Sequence, residues 1–501
     1  MARWPVDLEL PETAGPRYAS IATGIIAAIR GGRLRAGDRL PPTRVLAARL
    51  GVHRNTVVAA YRELATQGWI DASHGRGTFV GSPLPRAPTA ARPRRVPQPL
   101  GFALPRSELA PHEDEPPGVP ARYRLDVGLP DPRQLPVTML GRALRRALAL
   151  RESCEYGGPC GHPRLREQLA VMLRDTRGLA IEADAVMVTR GSQMAIDLVA
   201  RTLLRPGDVV AVEDPGYRPA WDALRGAGAE LLPIAVDRDG LDVAALAAVC
   251  ARRAVRMVYL TPHHHFPTLV TLSPARRLAL LELARARRMI VLEDDYDHEF
   301  HYGSRPPAPL ASHDVANVVV YVATLSKVVA PGLRSGCVVA PPPLVRALAA
   351  VRTTMDRSGD PVLERALAEL LEDGEIARHV RRMRKLQLER RDAAAAALTR
   401  SLAGAVRFEL PAGGMALWLE VDPAIDLESW RQRAREHGVA IGLGRHFAFA
   451  PSQRTANAVR LGYSRHTPGE LHAAIARLAD ALPRTRGRRA PARTAAPRAL
   501  R

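Results

Sequence analysis

The stretch TLSKVVAPGLR, residues 324–334, contains one of only two lysines in the chain, Lys327 and Lys385, although lysine and arginine together number 72. A primary amine condenses with an aldehyde to a Schiff base, and a guanidinium does not do so readily. Lys327 is therefore a candidate for covalent chemistry that an arginine does not readily perform; taken alone this is a weak hint, and an ordinary surface residue is the default reading. Its surroundings are more specific. Thr324 and Arg334 flank it and could both turn toward an anion. In AVMVTRGSQMAIDLVARTLL the amides of Gly191, Ser192 and Gln193 would point at a phosphate from the start of a helix. In MIVLEDDYDHEF, Asp294 can hold the proton of a pyridine nitrogen and Tyr296 can bond a phenolic oxygen. Tyr217, in VAVEDPGYRPAW, can stack on a flat ring or simply pack within its turn. An aldehyde cofactor with a phosphate handle would use all of these groups.

These residues need a scaffold that brings distant segments to one place. NVVVYVATL reads as a buried strand, so SKVVAPG lies at or beyond its carboxyl end, where open α/β sheets place their ligands. From Tyr123 to about Leu482, apolar strand-like runs alternate with helical patterns, which predicts βαβ units around a mostly parallel sheet. The expected class is α/β.

The first 80 residues follow a different plan. Tyr18, Ile21, Ile25 and Ile29 recur at helical spacing and stop at Gly31-Gly32. A second helix follows LPPT, with Val45, Leu46 and Leu50 apolar, and ends at Gly51. HRNTVVAAYRELATQG gives a third, with Val57, Tyr61 and Leu64 on one face. WIDASHGRGTFVG then alternates as a hairpin around His74, Gly75 and Arg76. The layout is a winged helix-turn-helix, a DNA-binding plan. The leading end of the third helix carries His53, Arg54, Asn55 and Thr56, whose side chains suit guanine edges, adenine edges and phosphates or thymine methyls. Arg44 could clamp a phosphate, and the His74-Gly75-Arg76 tip could reach a minor groove. A single helical arginine is more often a solvated charge; the joint pattern carries the reading.

Composition sets the remaining bounds. The chain has 501 residues, 47% of them hydrophobic, with a formal net charge of +21. That charge favours a polyanionic partner. No apolar run approaches a membrane span, and MARWPVDLEL lacks the build of a signal peptide, so a cytoplasmic location is expected. Residues 81–122 are Pro/Arg-rich without periodicity and read as a linker. The tail from Pro483 holds seven arginines and no acid; it reads as a disordered basic arm, either solvated or DNA-contacting. Cys154, Cys160, Cys250 and Cys337 form no zinc-like spacing and are expected to be free buried thiols. His263, His264 and His265 cannot all face one ion if they lie on a strand, so no metal site is expected.

GRLRAGDRLPPTRVLAARLGVHRNTVVAAYRELATQGWIDASHGRGTFV closely resembles the DNA-binding domain of GntR-family transcription regulators. The ordered set GSQ, EDPGY, YLTP, EDDYD, SK and R resembles the fold type I aminotransferases, with a small C-terminal α+β subdomain. Joined by a Pro/Arg linker, the whole looks like a MocR-subfamily regulator. The resemblance implies pyridoxal 5'-phosphate on Lys327, Asp294 at the pyridine nitrogen, Tyr296 at the phenolate oxygen and Tyr217 stacked. It further implies Ser192, Gln193, Thr324 and Arg334 at the phosphate, with Tyr156 reaching the phosphate of a partner subunit in a head-to-tail homodimer. Arg460, in VRLGYS, would grip the carboxylate of an effector. It assigns groove reading to Arg44, Arg54, Asn55 and Thr56 on double-stranded DNA. Phe266 stands where many aminotransferases have Asn, His265 where Gln is common, and Leu269 where a turn glycine is usual. Phe266 removes one bond to the phenolic oxygen and counts against efficient transamination; the helix-turn-helix and the long linker favour a sensor of the cofactor or of an amino compound over an active aminotransferase carrying a DNA-binding module.

Overall fold

The computed structural model describes residues 16–73, 77–82, 121–303, 306–450 and 453–483. Two compact units separate within it, one in the first 106 residues and one in the remainder. Most of the 81–122 linker, the wing tip His74-Gly75-Arg76 and the basic tail lie outside the described residues.

In the first unit, helix α1 (Arg17–Arg30) is followed by strand β1 (Arg39–Leu40), α2 (Thr43–Leu50), α3 (Arg54–Thr66), β2 (Ile70–Ser73) and β3 (Gly77–Val80). The hairpin pairs antiparallel with Ser73 opposite Gly77. β1 adds a third strand in the order β1-β3-β2 that the sequence pattern did not reveal, because two residues are too few to alternate. Ile21, Ile25, Ile29, Leu46, Val57 and Leu64 form the core. Tyr18 and Val45, expected on the apolar faces, are instead 37% and 56% exposed; each lies just off the stripe that meets the core. Gly51 ends α2 in the left-handed conformation at φ 62°, which a glycine adopts without steric cost.

The second unit starts with β4 (Tyr123–Arg124), α4 (Val137–Leu148) and α5 (Pro163–Arg177). It then alternates β5 (Val186–Thr189), α6 (Gly191–Leu203), β6 (Val209–Asp214) and α7 (Arg218–Gly226). Strands β7 (Glu230–Asp237), β8 (Gly240–Leu241), β9 (Val255–Leu260), β10 (Ile290–Asp295), β11 (Val319–Thr324) and β12 (Gly336–Val339) complete an eight-stranded sheet. Its order is β5-β12-β11-β10-β9-β6-β7-β8. β6, β7, β9, β10 and β11 pair in parallel, while β12 runs against both its neighbours. β11 is buried at every residue, as expected of a strand covered on both faces. A smaller domain carries β13 (Val406–Arg407), β14 (Ala416–Val421), β15 (Val439–Ala440), β16 (Gly442–Leu443) and β17 (Ala458–Gly462). Four of these form an antiparallel sheet in the order β13-β14-β17-β16, packed on a core that includes the fully buried Trp430. The mostly parallel sheet and the small α+β subdomain follow the expected class.

Candidate functional site

Six strands of the large sheet run in one direction, and the turns after five of them, β5, β6, β9, β10 and β11, lie along the same edge. Thr324 is the last residue of β11, and Lys327 stands three residues beyond it. Burial, and then the cation of Arg460, lower the Lys327 amine from 10.5 to about 8; Asp297 and Asp294 oppose the shift, and Arg334 adds to it. These four side chains, drawn from three segments of the chain, therefore act on one amine.

Asp294, the penultimate residue of β10, is almost fully buried. Its Oδ2 accepts from the Tyr259 hydroxyl at 2.9 Å, whereas Oδ1 has no partner among the described residues. Burial raises this carboxyl to about 7, the bond from Tyr259 lowers it, and the neighbouring Asp295 and Asp297 raise it. A buried carboxylate with one vacant oxygen is poised for a cationic N–H. The Tyr296 hydroxyl, one residue past the strand, is likewise buried and unpartnered. Tyr217 caps the start of α7 and sets its ring edge-on to Phe266 at 5.2 Å. Phe266 in turn meets the Tyr296 ring at 6.2 Å and lies under the Arg460 guanidinium at 4.7 Å. Arg460 sits in the middle of β17, 4% exposed, with its Nε unpartnered. A Cβ on Gly128 would stand 2.9 Å from its Nη2, so the glycine makes room for the guanidinium.

The residues expected at the phosphate gather where α6 begins. Gly191 takes φ +75°, and a Cβ there would lie 3.3 Å from the Arg334 guanidinium. Arg334 donates to the Arg190 carbonyl at 3.1 Å, with its own φ at 51°. Ser192 is half-buried on the first turn of α6. Gln193 donates its amide to the Pro219 carbonyl at 2.8 Å and leaves Oε1 unpartnered. Thr324 behaves differently from the expectation. Its hydroxyl donates to the Ser335 carbonyl and accepts from the Ser326 amide, both at 3.1 Å, so it shapes the lysine turn and has no proton left for an anion. The buried Ser326 hydroxyl, which was not singled out in the sequence, has no partner among the described residues and so keeps a free proton. Tyr259 and Gly128 were missed for a related reason: each acts through a neighbour on another strand.

Tyr156 is 82% exposed, with the Arg357 guanidinium 4.7 Å over its ring, and lines an open pocket together with Arg190, whose carbonyl accepts from Arg334. Leu269 keeps the left-handed turn at φ 67° without glycine. His265 takes its place in the same turn, bonding the Thr268 hydroxyl at 2.6 Å and the Pro215 carbonyl at 3.0 Å. Burial lowers it to about 3, so it is neutral. Cys154 is exposed rather than buried, Cys160 is intermediate, and Cys250 and Cys337 are buried; all four are free.

In the first unit, His53 caps α3 by accepting from the Asn55 amide at 3.3 Å. Arg44, Arg54 and Asn55 are exposed and Thr56 is half-buried, so the leading end of α3 is available to a groove. Arg54 also donates to Thr43 of α2 at 3.4 Å, which ties the two helices of the motif. The opposite face of α3 is locked inward by the Tyr61 hydroxyl, which donates to the Pro41 carbonyl at 2.8 Å.

The residues fit pyridoxal phosphate: a buried amine, an unpartnered buried carboxylate oxygen, an unpartnered tyrosine hydroxyl and a glycine cradle beside an arginine. When bound, that group supplies an aldehyde for the amine and an electron-withdrawing ring.

Residues 124–478 match the aminotransferase class I and II family, and residues 17–80 match the bacterial regulatory proteins of the gntR family. The chain is 32% identical to the probable rhizopine catabolism regulatory protein MocR of Rhizobium meliloti, over 93% of this chain and 94% of that one. It is 36% identical to the HTH-type transcriptional regulator TauR of Rhodobacter capsulatus, over 91% and 94%. Among solved structures it resembles the α-aminoadipate aminotransferase LysN of Thermus thermophilus, complexed with N-(5'-phosphopyridoxyl)-L-leucine. That likeness has 29% identity and a TM-score of 0.67, and covers 72% of this chain and 91% of that one. With an exposed reading helix in one unit and a buried lysine site in the other, the chain belongs to the MocR-type transcription regulators of the gntR family.

Proposed function

We propose that the aminotransferase-like half takes pyridoxal phosphate on Lys327 and converts the level of that cofactor, or of an amino compound presented to it, into a change in DNA binding. The observation that carries this reading is the vacant Oδ1 of buried Asp294 beside a buried, easily deprotonated lysine, in the same chain as the exposed end of α3. In this reading Asp294 holds the ring nitrogen, with Tyr259 fixing its orientation. Tyr296 donates to the phenolic oxygen, and Tyr217 covers one face of the ring. The amides opening α6, Ser192, Gln193, Ser326 and Arg334 surround the phosphate, and Thr324 holds their loop. Arg460, clamped over Phe266, receives the carboxylate of an amino compound. A ligand that binds two arrangements of the chain unequally shifts their populations, and the DNA-binding units with them.

A head-to-tail homodimer in the cytoplasm completes the reading. Tyr156, together with Val137 at 69% and Leu148 at 58% exposure, gives the second unit an apolar surface suited to a second copy. An apolar groove of about 580 Å³ lined by Leu140, Leu144 and Val329 adjoins it. No helix of the described residues is long and apolar enough to cross a membrane.

The test is fluorescence anisotropy of labelled DNA flanking the protein's own gene, with and without pyridoxal phosphate and then with single amino acids. A coupled site should change DNA affinity by about 5-fold or more, and Lys327→Ala should lose the response. An affinity indifferent to cofactor and amines would overturn the sensor reading. Steady transamination at roughly 10 s⁻¹ would replace it with that of an enzyme carrying a DNA-binding module.

A further inference from the structure

The structure places a second cluster of donors next to this site, with Asp297 common to both. His263 and His264 lie in a bend after β9 rather than on a strand, so they are not forced to opposite faces; both join one cluster, while the equally buried His265 bonds Thr268 and Pro215. The turn after β10 adds His298 and His301. His263, His264 and His301 are 3%, 1% and 7% exposed, and one donor atom from each lies within 4.8 Å of the other two. Four features of this trio point to a metal ion.

The His264 Nε2 to His301 Nδ1 separation is 3.5 Å. Two nitrogens each about 2.05 Å from a tetrahedral zinc stand about 3.4 Å apart, so the gap is that of a metal between two rings rather than of a good hydrogen bond. The two rings are within 8° of parallel. His264 Nδ1 faces Asp297 Oδ1 at 2.8 Å. A carboxylate behind a histidine fixes the tautomer with its proton on Nδ1 and leaves the Nε2 lone pair facing the cluster, the arrangement found behind metal-binding histidines. Finally, both ring nitrogens of buried His263 have no partner among the described residues, a cost that a metal bond would remove.

We propose that His263, His264 and His301 bind one divalent transition-metal ion of the zinc class, with Asp297 as the carboxylate that orients His264. Imidazole nitrogens suit zinc, cobalt, nickel and copper rather than magnesium or calcium. The neighbouring trio His263, Asp295 and His298 also lies within 4.8 Å. It is the weaker choice, since Asp295 Oδ2 already accepts from the Tyr321 hydroxyl at 2.6 Å and lies 2.9 Å from His298 Nδ1, which leaves only Oδ1 unpartnered among the described residues. The site would also join two domains. His301 bridges to Gly413, the Tyr302 amide donates to the Ala412 carbonyl at 2.7 Å, and the Gly414 amide donates to the Phe300 carbonyl at 2.8 Å. A Cβ on Gly413 would come within 2.2 Å of His264 Nε2, so only glycine lets the smaller domain pass the imidazole.

The experiment uses the full-length chain without an affinity tag, stripped with a chelator and titrated with cobalt(II). The expected result is one equivalent bound, with the strong visible bands of a tetrahedral ion, displacement by zinc, and a higher Tm in zinc. His263→Gln and His301→Gln should each lose the bands and the zinc-dependent rise in Tm, while His298→Gln keeps both. Retention of the pyridoxal phosphate absorption band in the variants checks that the site at Lys327 is still folded. The proposal is overturned if the parent chain takes up no stoichiometric cobalt, or if the bands include sulfur-to-cobalt transitions from a cysteine. Loss of binding in His298→Gln but not in His301→Gln would also overturn it. Because the parent titration stands alone, a variant that fails to fold does not rescue it.

Discussion

An ordinary lysine amine is almost wholly protonated at neutral pH and attacks an aldehyde slowly. Burial followed by the cation of Arg460 brings Lys327 from 10.5 to about 8. The unprotonated share at pH 7 then rises from about 1 in 3000 to about 1 in 10, a gain of roughly 300-fold. The assay mixes cofactor-stripped protein with excess pyridoxal phosphate from about pH 6 to about pH 10 and follows the visible band that Lys327→Ala does not develop. N-acetyl-lysine methylamide, run in parallel, removes the contribution of the cofactor's own titration. The Lys327 rate should climb about tenfold per pH unit and level off near pH 8, while the free amine keeps climbing. In Arg460→Gln the plateau should move to higher pH, because a neighbouring cation that disfavours the ammonium is gone. A parent rate that keeps rising alongside the model amine would refute the buried, electropositive setting of Lys327. A plateau unmoved in Arg460→Gln would refute the contribution of Arg460.

Asp294→Asn keeps an acceptor for Tyr259 and loses the charge, so pyridoxal phosphate affinity should fall by about 10- to 100-fold, roughly 1.5–3 kcal/mol, in a fluorescence titration; unchanged affinity would remove the pyridine partner assigned to it. Arg54→Ala should cost about 1–3 kcal/mol on the operator and relax its sequence preference, whereas Arg44→Ala should weaken all DNA alike and flatten the salt dependence. Competition anisotropy at two salt concentrations separates the two outcomes. Leu64 is fully buried on α3, and Leu64→Ala should destabilise the first unit by about 2–5 kcal/mol in a denaturant melt, with the band at Lys327 retained. Gly462→Ala would set a Cβ 2.0 Å from the Val127 carbonyl oxygen, on the strand that carries Arg460. It should lower Tm and loosen binding of carboxylate-bearing amines together, and an unshifted Tm would show that the backbone there yields freely.

The elements that could be read in advance are those specified by short-range rules. α3 was legible because Val57, Tyr61 and Leu64 repeat at the helical period and all three are buried. β11 was legible because a strand covered on both faces must be apolar throughout. Lys327 stood out by residue type, since only an amine can do the chemistry its neighbours imply. β1 escaped because its pairing with β3 comes from the fold of the hairpin and not from its own two residues.

What tertiary structure decided is which atoms remain available once the segments meet. Thr324 and Ser326 look interchangeable in sequence, yet the Thr324 hydroxyl is consumed by its own loop and the Ser326 hydroxyl is not. Tyr259 became a partner of Asp294 only when β9 paired in parallel with β10. The three consecutive histidines were set aside as strand residues with opposed side chains; a bend put two of them on one side, and His301, 37 positions beyond His264, came to meet them. Sequence fixes the kind of chemistry each side chain can perform, because that is covalent and local. Which side chains share a cavity, and which of their polar atoms are left unpaired there, depends on burial and long-range pairing that only the folded chain sets.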